Sequence, residues 1–172
     1  MTDAREWIIQ DLNRGDGMLR MQTGDLSQED AVRRARGDEG ASIAWIVGHL
    51  LVFRGFALAA CGQPRENPWA SRFSTQAPAT DGAEYPSLDA MLEEWGVLHD
   101  ALTRAVADLS DDDLGKPTEV FGGGQTVLDL LRFCTGHESY HSGALGLLRV
   151  QWGYKHTHVL AMEARGIQAS HD

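Results

Sequence analysis

Apolar residues recur at the spacing of an α-helix in four long segments of the chain, and this pattern constrains the fold more than any other feature. It predicts four long helices and one short one, over roughly residues 5–21, 42–61, 87–109, 126–150 and 159–165. No stretch combines period-two alternation with a hairpin turn, so we expect no sheet. Four amphipathic helices of similar length predict an all-α four-helix bundle, and we expect the chain, residues 1–172, to form it as a single domain.

A long segment, residues 63–86, separates the second and third predicted helices. An extended chain of about 24 residues easily exceeds the roughly 30 Å length of a 20-residue helix. The second and third helices can therefore run parallel, with this segment crossing from the end of one to the start of the other. Loops this long are rarely unanchored in compact domains, so we expect Trp69, Phe73 and Tyr85 to fix the segment to the bundle.

The charge balance argues against a nucleic-acid partner. The chain carries 25 acidic and 15 basic side chains, a formal charge of −10, which repels a phosphate backbone. The most apolar segment contains His49 and Arg54, which are costly in lipid, so we interpret it as a buried helix and expect no membrane partner. The start of the chain lacks the pattern of a signal peptide, and two cysteines make no disulfide framework, which favours the cytoplasm.

Three histidines are predicted to point into the bundle. His137 and His141 lie four residues apart in the fourth helix and therefore share one face, which is otherwise apolar. His49 lies in the second helix, one turn from both Trp45 and Phe53. A buried imidazole needs a partner for each ring nitrogen, and one metal ion would satisfy all three side chains. The alternative is that each is a separate core histidine bonded to a carbonyl or hydroxyl group.

The metal hypothesis also selects a direction for the helices. His49 lies about 10 Å into the second helix, and His141 lies about 13 Å from the end of the fourth, at 1.5 Å per residue. Antiparallel neighbours would therefore bring all three imidazoles to one level. Parallel neighbours would place His137 and His141 about 16 and 22 Å along, out of reach of His49. We therefore expect the second and fourth helices to be antiparallel.

The sequence "HESYH", residues 137–141, also matches the H-E-x-x-H pattern of zinc proteases. The extended form of that pattern fails, because Ala144 and Leu147 occupy the positions of its glycine and last histidine. A second form takes a glutamate from a later helix, and Glu163 is the candidate third ligand. This hypothesis leaves the inward His49 unexplained.

Glu138, between the two histidines, is the candidate catalytic base. A helix places it about 100° from His137, so it can instead point past the metal and act indirectly or face solvent. Three neutral histidine ligands leave a divalent ion at least one open position, which is the catalytic arrangement. Such an ion lowers the pKa of bound water to about 7 or holds a thiolate nucleophile. Imidazole ligands accept zinc, nickel, copper or iron, so the sequence does not select the metal.

Two helices carry a resemblance to a known family. Residues 42–62, "SIAWIVGHLLVFRGFALAACG", and residues 126–149, "TVLDLLRFCTGHESYHSGALGLLR", resemble the second and fourth helices of the DinB/YfiT-like metalloenzyme superfamily. The shared features are a tryptophan four residues before an inward histidine, and an H-x-x-x-H pair followed by a small residue and glycine. Trp95 and "LSDDDL", residues 109–114, also fit. The resemblance covers about residues 5–150.

The resemblance implies an up-down-down-up bundle with a three-histidine site for zinc or nickel, with His49, His137 and His141 as ligands. Characterised members include S-transferases that use low-molecular-weight thiols, and a small-molecule hydrolase is the other expectation. Many members look like homodimers, so a homodimer is expected here too. The alternative from a different class is a non-enzymatic metal-binding or scaffold protein with the same fold.

Overall fold

A computed structural model describes residues 3–37, 39–74 and 79–167, and it is mostly helical. The helices are α1 (Ala4–Thr23), α2 (Gln28–Val32), α3 (Ile43–Ala60), α4 (Ala70–Phe73), α5 (Leu88–Asp108), α6 (Asp111–Leu114), α7 (Val127–Gln151) and α8 (Thr157–Glu163). Two short strands, β1 (Pro117–Thr118) and β2 (Gln125–Thr126), pair antiparallel, with a 3-10 turn over Val120–Gly122 between them.

The four long helices begin where the sequence predicted, because each begins after a side chain that caps it. Asp3, Ser42, Ser87 and Thr126 accept hydrogen bonds from backbone N–H groups in the first turns of α1, α3, α5 and α7. The predicted short C-terminal helix is α8, shifted by about two residues. Helices α2, α4 and α6 and the β1–β2 ladder were not predicted, since elements of two to five residues are too short to show periodicity.

Contacts near the helix ends establish the directions in the bundle. Arg5 at the start of α1 donates to the carbonyl of Leu109 at the end of α5, so α1 and α5 are antiparallel. Gln22 at the end of α1 donates to the carbonyl of Ser142 in the second half of α7, so these two helices are parallel.

Helix α3 runs antiparallel to α7, as the metal hypothesis required. Cys134 Sγ lies against the carbonyl of Phe53, while His49, one turn earlier in α3, lies beside His137 and His141, which come later in α7. The order up-down-down-up, with α3 and α5 parallel, is therefore confirmed.

The predicted crossover between α3 and α5 is anchored by its aromatic residues. Phe73 is completely buried in the core, and its ring packs 4.9 Å from that of Tyr85, centroid to centroid. Trp69 is half-buried against the same core. These described residues of the crossover are therefore part of the packed bundle.

Helix α3 is long and apolar enough to cross a membrane by length and composition, yet 72% of it is buried inside the protein. Both of its polar residues that argued against lipid, His49 and Arg54, are in that buried part. Its apolar character is thus explained by its burial in the bundle, where it packs against α5 and α7.

Helix α1 contains Gly15 and Gly17, a residue type that weakens a helix, yet α1 is continuous over Ala4–Thr23. Glycine at position 15 allows a close approach between α1 and α7. A Cβ atom at residue 15 would overlap the carboxylate of Glu138 in α7. Gly15 is therefore a packing residue, and the bundle stabilises the helix that glycine weakens.

The turn between β1 and β2 contains an unusual backbone conformation. Phe121 has φ 57° and ψ 28°, the left-handed region in which a side chain is disfavoured, and Gly122, Gly123 and Gly124 follow with positive φ. A non-glycine residue in a sparsely populated region costs of order 1–3 kcal/mol. The hairpin thus keeps a phenylalanine at position 121 at a cost in conformational free energy. A glycine at that position would avoid this cost.

Gly48 provides a test of the packing between α3 and the crossover. A Cβ atom there would lie 2.5 Å from three carbons of the Phe73 ring, so we expect Gly48→Ala to lower the free energy of unfolding by about 1–3 kcal/mol through overpacking. Gly55 is the matched control, because no described atom lies within 4 Å of its Cβ position. We expect Gly55→Ala to stabilise the helix by about 0.5–1 kcal/mol. Urea denaturation followed by circular dichroism measures both, and equal effects would contradict the packing described.

Candidate metal centre

His49 from α3 and His137 and His141 from α7 form one cluster. One nitrogen from each ring lies within 4.8 Å of the other two, and among the described residues this is the cluster whose geometry could hold a metal ion. His49 is buried, and the two α7 histidines are half-buried. The three predicted ligands are therefore together, on the two antiparallel helices from which they were expected.

The crossover fixes the orientation of His49. Its Nδ1 lies 2.8 Å from the carbonyl oxygen of Phe73, and since a carbonyl only accepts, Nδ1 carries the proton and donates. The neutral ring then has its lone pair on Nε2. A metal-binding histidine typically makes this kind of bond with its other nitrogen, because the bond fixes both tautomer and ring direction.

The two α7 histidines face each other. Their Nε2 atoms are 3.1 Å apart, close to the roughly 3.4 Å between two nitrogens that share a tetrahedral zinc ion at about 2.1 Å. The widest separation in the cluster, 4.8 Å, needs a small rotation of one ring to reach that value. The donor set and its geometry therefore fit a divalent metal ion.

Burial keeps the three imidazoles in the form that binds metals. It lowers the pKa of His137 to about 4, with a further contribution from His49, and that of His141 to about 4, with contributions from both neighbours. Burial also lowers the pKa of His49, although the hydrogen bond to Phe73 opposes this. At neutral pH the rings are uncharged, with lone pairs available to a cation.

Aromatic side chains form the walls of the cluster. The Trp45 ring stacks on His49 with centroids 4.7 Å apart, and the Phe53 ring stacks on His137 at 4.0 Å. Tyr140 contacts the edge of His141 at 5.0 Å. Each imidazole is thus packed against a rigid ring, which limits its rotation before any ligand binds.

Glu138 is joined to Arg54 by a buried ion pair. Arg54 Nε and Nη2 donate to the two carboxylate oxygens of Glu138 at 2.8 and 3.0 Å, and the two side chains are 0% and 5% exposed. This burial agrees with the interpretation of the segment around Arg54 as a buried helix. The role of Glu138 as a base stays a prediction, and both of its carboxylate oxygens accept hydrogen bonds from Arg54.

The same ion pair contacts the other two long helices. The Arg54 guanidinium lies 3.4 Å from the centroid of the Trp95 ring in α5, and Nη2 lies 3.4 Å from the carbonyl of Leu12 in α1. Trp95 in turn donates from Nε1 to Asp16 of α1 at 2.9 Å. A polar layer involving all four long helices therefore lies next to the histidine cluster.

The other candidate ligands lie elsewhere. Glu163 in α8 forms an exposed ion pair with Lys155 and is not a member of the cluster, whereas His49 is, so the zinc-protease arrangement is contradicted. His99 in α5 also lies outside the cluster. Burial and the neighbouring Arg54 charge lower the pKa of His99, so it too is neutral at pH 7.

Sequence reasoning missed two parts of the site. The carbonyl of Phe73 is a backbone group, which no side-chain pattern reveals, although the prediction that Phe73 anchors the crossover pointed to the right residue. The pairing of Arg54 with Glu138 joins residues 84 positions apart, and its one signal was an arginine in the middle of an apolar segment. A buried arginine requires a buried acid.

Comparison with known protein families matches residues 12–145 to the family described as the DinB superfamily. This region extends from the first half of α1 to Leu145 in α7, and it contains all three histidines of the cluster. No curated protein matches the chain.

Substitution of Glu138 tests the buried ion pair. Glu138→Gln leaves the Arg54 charge buried without a counter-charge, so we expect the free energy of unfolding to fall by about 3 kcal/mol. Glu163→Gln breaks an exposed pair and is the matched control, with an expected change within about 0.5 kcal/mol. Chemical denaturation of the metal-free proteins measures the difference. Similar small effects for both variants would show that the buried pair does not stabilise the fold.

Proposed function

The chain belongs to the DinB superfamily, and we propose that it is a metal-dependent enzyme whose reactive centre is the cluster of His49, His137 and His141. The substrate is a small molecule, and the reaction is a thiol S-transfer or a hydrolysis. The observation that carries the proposal is the convergence of three neutral imidazoles, without an acidic ligand among the described members of the cluster.

The donor set supports a catalytic role over a structural one. Structural zinc sites are closed by four protein ligands, whereas catalytic sites have three and keep a position for water or substrate. When bound by three histidines, a zinc or nickel ion supplies a Lewis acid that favours the deprotonated form of a water or thiol. A low-molecular-weight thiol would fit that position as cosubstrate.

The groups around the cluster fix the orientation of its imidazole rings. The Phe73 carbonyl holds His49 in one tautomer, and the rings of Trp45 and Phe53 keep the imidazoles from turning away. Glu138 is the candidate base of the proposal, and this role would require its carboxylate to exchange a bond with Arg54 for one with the substrate. We place the protein in the cytoplasm, where a thiol cosubstrate stays reduced.

The second candidate function is a non-enzymatic metal-binding protein with the same fold. The rings packed against all three histidines favour it, because they shield the cluster from large ligands. The two candidates differ in one measurable property: an enzyme must bind a thiol or another small ligand at the metal, and a sealed site does not.

Elemental analysis of protein purified without an affinity tag tests the metal site. We expect about one zinc or nickel ion per chain in the wild type and strong depletion in His49→Ala, because two of the three ligands remain on a single helix. His158→Ala, in exposed α8, is the matched control and should retain the metal.

Two results would contradict the proposal. Substoichiometric metal in the wild type after incubation with excess zinc or nickel would remove the site altogether. Full occupancy in His49→Ala would show that residue 49 is no ligand.

We further propose that the protein is a homodimer that pairs through an exposed stripe on α7. The stripe consists of Gly136, Tyr140, Gly143, Leu147 and Val150, and their spacing of four and three residues is that of a helix pair. Tyr140 and Leu147 are 74% and 75% exposed, unusual for large apolar side chains on a helix.

Small and large residues alternate over the first four positions of this stripe. No described atom lies within 4 Å of the Cβ positions of Gly136 and Gly143, so the chain itself does not require glycine at either place. A second copy of α7 could insert Tyr140 and Leu147 into the spaces beside the partner's glycines, which gives a self-complementary two-fold contact. Support for the dimer therefore comes from the pattern and exposure of the stripe.

Replacement of Leu147 by a charged residue tests this interface. We expect the wild type to sediment as a dimer and Leu147→Asp as a folded monomer, because a buried unpaired charge at the interface costs several kcal/mol. Val97→Asp on α5, where the valine is 47% exposed, is the control and should remain dimeric. A wild type that sediments as a monomer at all concentrations would contradict the dimer, and a dimeric Leu147→Asp would move the interface elsewhere.

A further inference from the structure

Four phenylalanine rings form one cluster beside His137, which we call the aromatic rim: Phe53 and Phe56 from α3, Phe121 from the turn between β1 and β2, and Phe133 from α7. The Phe121 centroid lies 5.6 Å from that of Phe53, 5.0 Å from that of Phe56 and 5.9 Å from that of Phe133. These separations are those of aromatic rings in direct contact. Three separate elements of the fold therefore supply one continuous aromatic surface.

The aromatic rim is continuous with the histidine cluster. Phe53 stacks on His137 at 4.0 Å, and Phe133 lies nearly parallel to the same imidazole at 5.7 Å. Phe53 and Phe133, the two rings that contact His137, also contact Phe121. A planar group bound on the rim would thus lie one ring away from the metal-binding nitrogens.

The outer part of the aromatic rim is open to solvent. Phe121 and Phe133 are each 49% exposed, whereas Phe53 is buried. Two half-exposed rings in contact with each other leave apolar faces available to a ligand. Binding sites for small molecules are typically lined by such apolar and aromatic surfaces beside a few polar groups, which here are the imidazoles.

The conformation of Phe121 indicates that its position is functional. Phe121 is held in the left-handed region next to three glycines that adopt positive φ freely, so glycine would suit position 121 better for the backbone alone. Residues kept in such conformations cluster at ligand-binding and active sites. The strain directs this ring towards Phe53 and Phe56, at the outer edge of the rim.

The geometry points to the aromatic rim as the subsite for a planar aromatic group of the substrate. This inference rests on the proposed function, since it assigns the part of the substrate that does not react. The substrate would join an aromatic ring, by a short linker, to a thiol or another group that reaches the histidine cluster. Ring stacking on Phe121 and Phe133 would select it over an aliphatic analogue.

The first test uses metal-free protein and 4-fluorobenzyl alcohol, with binding followed by the broadening of the ligand's fluorine NMR signal. We expect saturable binding to the wild type and at least about tenfold weaker binding to Phe121→Ala and to Phe133→Ala. The two variants alter different elements, the hairpin and α7, so misfolding of one does not decide the result. Val97→Ala, which removes an exposed apolar side chain from α5, is the control and should bind as the wild type does.

Each other outcome of this test overturns the inference. Absence of saturable binding to the wild type would do so, as would unchanged binding to both rim variants. Loss of binding in Leu147→Asp equal to that in the rim variants would assign the rim to the interface between two copies.

A second test separates this inference from the proposed metal chemistry. In cobalt-loaded protein, the thiolate absorption band reports binding of 4-fluorophenylmethanethiol or ethanethiol. We expect about tenfold tighter binding of the aromatic thiol to the wild type and near-equal binding of the two thiols to Phe121→Ala. Equal affinities in the wild type would overturn the aromatic subsite alone. If cobalt does not bind, the proposed function fails. The measurement on metal-free protein still determines whether the aromatic rim binds an aromatic ligand.

Discussion

The buried ion pair between Arg54 and Glu138 is the interaction on which the rest of the structure depends. It joins α3 to α7, the same two helices that carry the three histidines. Glu138 is adjacent to His137 in sequence, so a carboxylate bonded at two points fixes the rotation of α7 at the level of the site. The guanidinium also contacts α5 through Trp95 and α1 through Leu12, so the orientation of α7 is tied to the whole bundle. A buried charge pair tolerates little displacement, because separation of the charges leaves both of them desolvated.

This arrangement determines the electrostatics of the centre. Arg54 and Glu138 neutralise each other, and burial keeps the imidazoles uncharged, so the nearby protein groups leave the charge of a bound cation largely uncompensated. In a site of low dielectric such an excess charge favours an anionic ligand in the open position. A thiolate meets this requirement and also places an apolar substituent against the surrounding rings. The electrostatic and packing features are therefore both compatible with the proposed substrate, a thiol with a hydrophobic group.

Much of the fold could be predicted because its sequence signals extend over long segments and depend only on neighbouring residues. Four helices of at least 18 residues repeat their apolar pattern several times, and each has a capping residue at its start. The cluster was predictable because each histidine interrupts an apolar helix face. The distances of the histidines from the ends of two antiparallel helices also predicted that the three rings lie at one level. The pairing of Arg54 with Glu138 was missed because most arginines are exposed, and the two residues are 84 positions apart. The Phe121 conformation lay beyond prediction, since nothing in the local sequence requires a phenylalanine in the left-handed region.

The crossover between α3 and α5 has a role that its length alone does not suggest. The Phe73 ring fills the space above Gly48, where a Cβ atom would collide with it, and the carbonyl of the same residue accepts the Nδ1 proton of His49. One residue therefore both anchors the segment to α3 and sets the tautomer of His49 in the candidate metal centre. Because glycine precedes the histidine directly, the backbone of the crossover can approach α3 closely enough for both contacts. A change in the path of the crossover at Phe73 would therefore alter both the packing against α3 and the orientation of His49.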